Sequence, residues 1–371
     1  MTATAWFADH NAGGPVLPEV LATFVEIEQR CPGNPASPHA AGRAARAVLE
    51  AARERIAQAC GVAATEVLFT SGGTEAANLA VLGLGDPGLP VVLAPVEHPA
   101  VMEPARARGI VAWNVDAVGT AQLAAPGTPV GLCCLTQAQG ELGTLQPVAA
   151  AAELAATLGV PLFVDAAQSL GRVPLAPVLA SGAIVALSPH KAGGLRGHGV
   201  LLGRHLTQRL RPLLRGGSQE LGLRPGTQSP ALAAANALAI ERALREQPAR
   251  SASMTQARDA LLAGLRSTGV LHQVLTPLAT SLPNTVMLYF PGVDGRNLVP
   301  ALDLAGIHAS HGSACSSGAP TPPPILRAIG LADDAARACV RFSLGQGDGF
   351  DTSYAAGSRI GITIGMRQKK N

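Results

Sequence analysis

Short apolar runs alternate with amphipathic stretches through the first half of the chain. Runs with the length and β-branched content of buried strands lie at 67–69, 91–95, 110–115, 130–135, 162–164 and 183–187. Apolar residues that recur every three or four positions predict helices over 17–29, 41–60, 76–84, 148–158 and from about 100. Because strands alternate with helices, we predict an α/β fold with a mostly parallel sheet that helices cover on both faces.

The pattern changes after a glycine- and proline-containing stretch at 215–229. Beyond it the periodicity predicts helices over 231–245 and 252–265, strands near 285–289 and 307–309, and a helix near 324–329. We therefore predict three parts: a segment at 1–15 that joins the small domain, a large domain at 16–244, and a small α/β domain at 245–371. Residues 350–371 include several glycines without a helical period, so we predict that this tail is poorly ordered.

Composition narrows the class of protein. Hydrophobic residues make up 47% and charged residues 14% of the 371 residues, which is enough for a large core. The net charge is +3, and the one late basic cluster is in the tail, so no nucleic-acid partner is expected. No apolar run has the length of a membrane span and no signal peptide is evident, so we expect a cytoplasmic protein without membrane contact.

The six cysteines lie at positions 31, 60, 133, 134, 315 and 339 and form no Cys-x-x-Cys pair. This spacing favours reduced thiols over a disulfide framework or a metal site. Cys133 and Cys134 lie in an apolar run and are predicted to be small core residues. Cys315 differs, because serines and glycines surround it just after a predicted strand. It is therefore a candidate nucleophile or sulfur carrier.

Lys191 is the first candidate for chemistry. It follows the strand predicted at 183–187, directly after Ser188 and His190, and a glycine-rich loop comes next. A partly desolvated lysine loses its proton more easily, so this position suits an amine that forms a Schiff base. The alternative is an ordinary surface lysine in a glycine-rich loop.

Two further strand ends carry candidate groups. Gly73 and Thr74 lie between a strand and a helix, where backbone N–H groups and the helix dipole can bind a phosphate. An ordinary helix cap would have the same sequence. Asp165 ends the strand at 162–164, and Gln168 follows it. A carboxylate in this position can pair with a protonated ring nitrogen, as pyridoxal phosphate requires, or can cap the next turn.

His98 and Arg341 have two interpretations each. His98 lies past a strand end, where a flat imidazole could stack on a ring, although a lone histidine is often structural. Arg341 lies on an apolar strand. Its planar guanidinium could bind a substrate carboxylate through two hydrogen bonds, or it could form a salt bridge.

Together these motifs resemble the cysteine desulfurases, which are class V of the fold-type I pyridoxal phosphate enzymes. The similar segments occur in family order and span roughly residues 9 to 345: they lie at 33–39, 70–76, 97–98, 141–144, 164–169, 188–191, 224–227 and 312–318. The resemblance implies a fold-type I large domain, with a mostly parallel sheet of the seven-stranded type, and a smaller α/β domain. It also implies pyridoxal 5'-phosphate as cofactor, a homodimer, L-cysteine as substrate and a sulfur acceptor protein such as an iron–sulfur scaffold.

The resemblance implies a role for each candidate residue. Lys191 would hold the cofactor as a Schiff base and move protons, and Cys315 would take the substrate sulfur as a persulfide and leave alanine. Asn34 and Arg341 would receive the substrate carboxylate. The remaining family roles concern the cofactor: a ring contact for Asp165, Gln168 and His98, and a phosphate contact for Gly73, Thr74, Ser188, His190 and, from the partner subunit, Thr227.

The chain also departs from the family pattern. Gly13 and Gly14 replace two common threonines, Leu221 replaces an arginine, and Gly140 replaces an asparagine that normally contacts the ring hydroxyl. These changes leave two alternatives open. One is another class V enzyme, such as a cystine lyase, a selenocysteine lyase or an aminotransferase, in which Cys315 is not catalytic. The other is a weakly active member that acts as a binding partner in sulfur delivery.

Overall fold

The structure is a computed structural model, and it describes residues 5–312 and 322–368. The strands are β1 (Trp6–Phe7), β2 (Val67–Thr70), β3 (Val91–Leu93), β4 (Ile110–Ala112), β5 (Asn114–Val115), β6 (Ala121–Gln122), β7 (Leu132–Thr136), β8 (Leu162–Asp165), β9 (Ile184–Leu187), β10 (Gly199–Leu202), β11 (Gln273–Val274), β12 (Thr285–Tyr289), β13 (Ile307–His308) and β14 (Cys339–Ser343). The helices are α1 (Pro18–Arg30), α2 (Ala40–Cys60), α3 (Gly73–Gly83), α4 (Pro99–Arg108), α5 (Val148–Leu158), α6 (Ala176–Ala180), α7 (Leu206–Arg209), α8 (Pro230–Arg245), α9 (Gln247–Arg266), α10 (Leu298–Leu304), α11 (Pro324–Ala328), α12 (Asp333–Arg337) and α13 (Phe350–Gln368).

The main sheet has seven strands in the order β2-β10-β9-β8-β7-β3-β4. Strand β10 is antiparallel to both of its neighbours, while the other neighbouring strands are parallel. The central strands are buried, as expected when helices cover both faces of a parallel sheet. The predicted α/β fold with a mostly parallel sheet is therefore confirmed.

Strand order determines where the candidate residues lie. Thr136 is opposite Asp165 in the β7–β8 pair, and Asp165 is opposite Ala186 in the β8–β9 pair. Strand β9 ends one residue before Ser188, close to Lys191. Because the carboxyl ends of parallel strands meet at one edge of the sheet, these side chains converge there.

A second sheet has the order β11-β12-β14, and β1 pairs with β13 nearby. Helix α13 packs against α9 beside this sheet. The prediction of a poorly ordered tail at 350–371 is wrong for Phe350–Gln368, which form α13, whereas 369–371 lie outside the described residues. The glycines that obscured the helical period allow this contact, since a Cβ at Gly357 would overlap the Leu261 carbonyl, and one at Gly361 would overlap Thr268.

No helix in the two described ranges, 5–312 and 322–368, is both long enough and apolar enough to cross a bilayer. Cys133 and Cys134 are fully buried in β7, as their apolar neighbours predict.

His198 makes the stability of the fold sensitive to acid. The ring is buried next to Phe69, its Nδ1 has no hydrogen-bond partner, and burial with nearby Arg224 and Arg53 lowers its pKa to about 4. The unfolded chain, with a histidine pKa of 6.5, binds the proton first as the pH falls, so the folded state loses stability between these two values.

We expect acidification from about pH 7 to about pH 5 to cost about 2 kcal/mol of unfolding free energy through His198. His198→Phe should reduce this loss when urea unfolding is measured at both pH values. The same change at exposed His205, for which the described residues show no ion pair, should leave the pH dependence as in the wild type. Equal pH dependence of all three proteins would contradict the assignment.

Candidate active site

A cavity of about 220 Å³ opens at the carboxyl ends of the central strands. It brings together nine of the twelve predicted site residues, namely Gly73, Thr74, His98, Asp165, Gln168, Ser188, His190, Lys191 and Arg341. These residues come from sequence positions far apart, so the convergence depends on the order of the strands. The cavity is the candidate active site.

The other three predicted residues are not in this cavity. Thr227 lines a separate pocket with Ser71 and Arg224. Asn34 is exposed in the loop between α1 and α2, where its side-chain oxygen accepts the N–H of Ala36 at 2.9 Å. Cys315 lies outside the described residues.

Lys191 has an environment that favours its neutral amine. Burial lowers the pKa of the ammonium to about 8. The Asp165 carboxylate acts in the opposite direction, and the nearby guanidinium groups of Arg172 and Arg341 lower the pKa further. A larger fraction of this amine is therefore neutral, and nucleophilic, near pH 7 than for an exposed lysine.

One end of the cavity has the properties of an anion site. Helix α3 begins at Gly73, so its first backbone N–H groups have no partner within the helix. A Cβ at position 73 would overlap Ser188 Oγ, so glycine is what allows this hydroxyl to approach the helix. Thr74 and His190 complete this end. Burial, with Lys191 as the next cause, lowers the pKa of His190 to about 4, so its ring is neutral near pH 7.

The other end presents a carboxylate and a flat ring. Asp165 Oδ1 accepts the N–H of Ala167 at 2.9 Å, which fixes the carboxylate at the end of β8. His98 caps α4, because its Nδ1 accepts the N–H of Ala100 at 3.1 Å. Burial lowers the pKa of His98. The arrangement is therefore an oriented carboxylate beside a neutral, fixed imidazole.

Arg341 forms a salt bridge, which is one of its two sequence interpretations, and the other stays a prediction. It lines the cavity, and it also forms a salt bridge with Asp9 at 2.5 Å. It donates a further hydrogen bond to the carbonyl of Gly140 at 3.1 Å. Its Nε is buried without a partner, so the guanidinium retains one donor that no described residue uses.

Two buried residues that the sequence analysis did not identify organise the floor of the cavity. Arg172 donates to Asn11 Oδ1 at 2.9 Å, to Gln168 Oε1 at 2.5 Å and to the carbonyl of Lys191 at 3.3 Å. Asn11 in turn accepts the side-chain N–H of Gln168 on its carbonyl and donates to the carbonyl of Gly140 at 3.0 Å. This network holds Gln168 and the Lys191 backbone in place.

The sequence contains a signal for Asn11, which lies near the start of the family-like region. It contains none for Arg172, which lies outside the family-like segments. Burial, with Arg341 as the second cause, lowers the pKa of Arg172 to about 9. A side chain at Gly140 would come within 3.2 Å of Gln168 Nε2, so the glycine leaves the network undisturbed.

Comparison with known proteins identifies the family of this chain. A family model described as aminotransferase class V matches residues 6–347. Cysteine desulfurase IscS of Dictyoglomus turgidum is 32% identical over 352 residues, which cover 91% of this chain and 89% of that protein. Cysteine desulfurase NifS of Azotobacter vinelandii is 34% identical over 352 residues, with coverage of 91% and 87%.

Solved structures give the same result. A NifS-like protein superposes with a TM-score of 0.87 at 28% identity, covering 98% of this chain and 100% of that one. DndA from Streptomyces lividans superposes with a TM-score of 0.74 at 30% identity, with coverage of 89% and 97%. The predicted fold-type I architecture is thereby confirmed. The chain belongs to the aminotransferase class V family, and its relatives IscS and NifS within that family are cysteine desulfurases.

Proposed function

We propose that this protein is a pyridoxal 5'-phosphate-dependent cysteine desulfurase, which converts L-cysteine to L-alanine and transfers the sulfur to Cys315 as a persulfide. The observation that carries the proposal is the single cavity that joins Lys191, Asp165 and the N-terminus of α3. A reactive amine, a carboxylate and an anion site are the three groups that this cofactor needs from a protein.

The residues of the cavity fit the cofactor. Gly73, Thr74, Ser188 and His190 would hold its phosphate, because they form the anion site. Asp165 would pair with the ring nitrogen, His98 would stack on the ring, and Gln168 would contact the ring hydroxyl. When bound, the cofactor supplies an electron sink that stabilises negative charge on the substrate carbon.

The protein's own groups would bind and deprotonate the substrate. Lys191, whose pKa is lowered by burial, would anchor the cofactor and carry protons at Nζ. Arg341 would receive the substrate carboxylate, since its buried Nε has no partner among the described residues and its salt bridge with Asp9 holds the guanidinium in place. The Cys315 thiolate would then attack the substrate sulfur, so that an S–S bond forms as the carbon–sulfur bond breaks.

A homodimer would complete the site. Thr227 lines a pocket separate from the cavity of its own chain, and Arg224 in the same loop donates to Glu75 of α3 at 2.8 Å. Thr227 would therefore reach the phosphate of a second copy. Leu214 and Leu221, which precede Thr227, are exposed apolar residues that a subunit contact would cover.

The relatives named IscS and NifS support sulfur delivery to a protein acceptor, such as an iron–sulfur scaffold, as the purpose of the reaction. We place this reaction in the cytoplasm, because the persulfide requires a compartment that keeps thiols reduced.

An end-product assay tests the proposed function. The purified protein with cofactor and a thiol reductant should produce alanine and sulfide from L-cysteine in equal amounts. Cystine and selenocysteine serve as competing substrates in parallel reactions. Pyruvate and ammonia from cystine, without alanine from cysteine, would instead indicate a lyase. Transfer of an amino group to a keto acid would indicate an aminotransferase.

A further inference from the structure

Glu97 is a buried carboxyl group that the roles above leave unused. It lies between β3 and α4, in the position directly before His98, and 9% of its surface is exposed. Its Oε1 accepts the backbone N–H of Thr136 at 2.6 Å, whereas its Oε2 is buried without a partner. Within residues 5–312 and 322–368, no lysine, arginine or histidine nitrogen lies within 4 Å of this carboxyl.

The neighbours of Glu97 explain why this position matters. Thr136, which binds Oε1, is opposite Asp165 in the β7–β8 pair. Glu97 follows β3 and Asp165 ends β8, so the two carboxyl groups lie on either side of the end of β7, which pairs with both strands. Asp165 is close enough to raise the pKa of Glu97. The other titratable neighbour is Cys134 of β7, whose thiol pKa burial and Glu97 both raise. In the part of the chain that the structure describes, no side-chain cation pairs with Glu97.

Two neighbouring carboxyl groups in a buried setting cannot both ionise at low cost. Asp165 lines the cavity, and its Oδ1 accepts the N–H of Ala167. Glu97 is enclosed, so burial and then Asp165 raise its pKa to about 8, although the N–H of Thr136 acts in the opposite direction. The unpartnered Oε2 is the atom that would carry the proton.

We infer that Glu97 is a positioning residue, which works as a neutral carboxylic acid behind Asp165 and leaves the negative charge of the pair on Asp165. The inference rests on the proposed function, in which Asp165 pairs with the ring nitrogen of the cofactor. By holding the proton, Glu97 keeps Asp165 ionised and available to the ring. Through its Oε1 it also holds the end of β7 in register.

Infrared spectroscopy of the holoenzyme detects the proton directly. The carbonyl band of a protonated carboxylic acid should be present in the wild type near pH 7, should disappear with a midpoint near pH 8, and should be absent from Glu97→Gln. In Asp165→Asn the midpoint should fall, because the neighbouring charge is gone. Glu103→Gln, the same change at an exposed glutamate of α4, should keep the wild-type band.

Cofactor affinity supplies the second measurement. Glu97→Leu leaves the Thr136 N–H without an acceptor and should weaken cofactor binding roughly tenfold. Glu97→Gln restores a neutral acceptor of the same shape and should recover most of this loss. If Glu97→Gln binds the cofactor as weakly as Glu97→Leu, or keeps the carboxylic acid band, the inference is wrong. A wild type that takes up no cofactor would overturn the proposed function instead.

Discussion

Replacing Lys191 with alanine is expected to abolish turnover of L-cysteine, with a loss of at least roughly 10³-fold in kcat, as for removal of an acid–base group that also binds the cofactor. The side chain lies in the candidate active site, and burial lowers its pKa to about 8. The same amine should capture the cofactor. The rate of cofactor uptake by the apoenzyme should therefore rise with pH to a midpoint near 8, rather than near 10.5 as for a free lysine.

Borohydride reduction followed by mass spectrometry measures the covalent attachment. The wild type should gain the mass of the reduced cofactor on the peptide that contains Lys191, and Lys191→Ala should gain none. The chain has only two other lysines, Lys369 and Lys370, so Lys369→Ala is a matched control that should behave as the wild type. Attachment of the cofactor to Lys191→Ala would contradict the assignment.

The sequence predicts the frame of the main sheet because each parallel strand is an uninterrupted apolar run. It does not predict β10, which follows a glycine-rich loop and pairs antiparallel to both neighbours. Nor does it predict α13, since Gly357 and Gly361 interrupt the apolar period. The reason for these glycines is visible only in the folded chain, because the absence of their side chains lets α13 approach α9 closely.

The sequence likewise predicts some residues of the candidate site and misses others. Groups such as Asp165 and Lys191 directly follow apolar runs, so the rule that strand ends converge is enough to associate them. Arg172 and Glu97 are charged residues, which are normally exposed, and nothing in their neighbours along the chain indicates burial. Their roles depend on contacts with residues distant in sequence, so only the folded chain identifies them.

Gly312, the last described residue before the 313–321 segment, lies close to Pro323 and to a residue that lines the candidate active site. A Cβ at Gly312 would overlap Pro323 and come within 3.3 Å of Glu141, which lines the cavity. The described chain therefore reaches a residue that lines the candidate active site three positions before Cys315 in the sequence.

Replacing Cys315 with alanine should abolish sulfide release from L-cysteine, by at least roughly 10³-fold, while the visible absorbance of the bound cofactor stays as in the wild type. The substitution should affect sulfide release without affecting cofactor absorbance, because none of the residues that would hold the cofactor belongs to the 313–321 segment. Cys31→Ala, which changes a partly exposed thiol outside the cavity, should leave both properties unchanged. Sulfide release by Cys315→Ala at the wild-type rate would exclude a persulfide on Cys315, and a loss of cofactor absorbance would make Cys315 a structural residue.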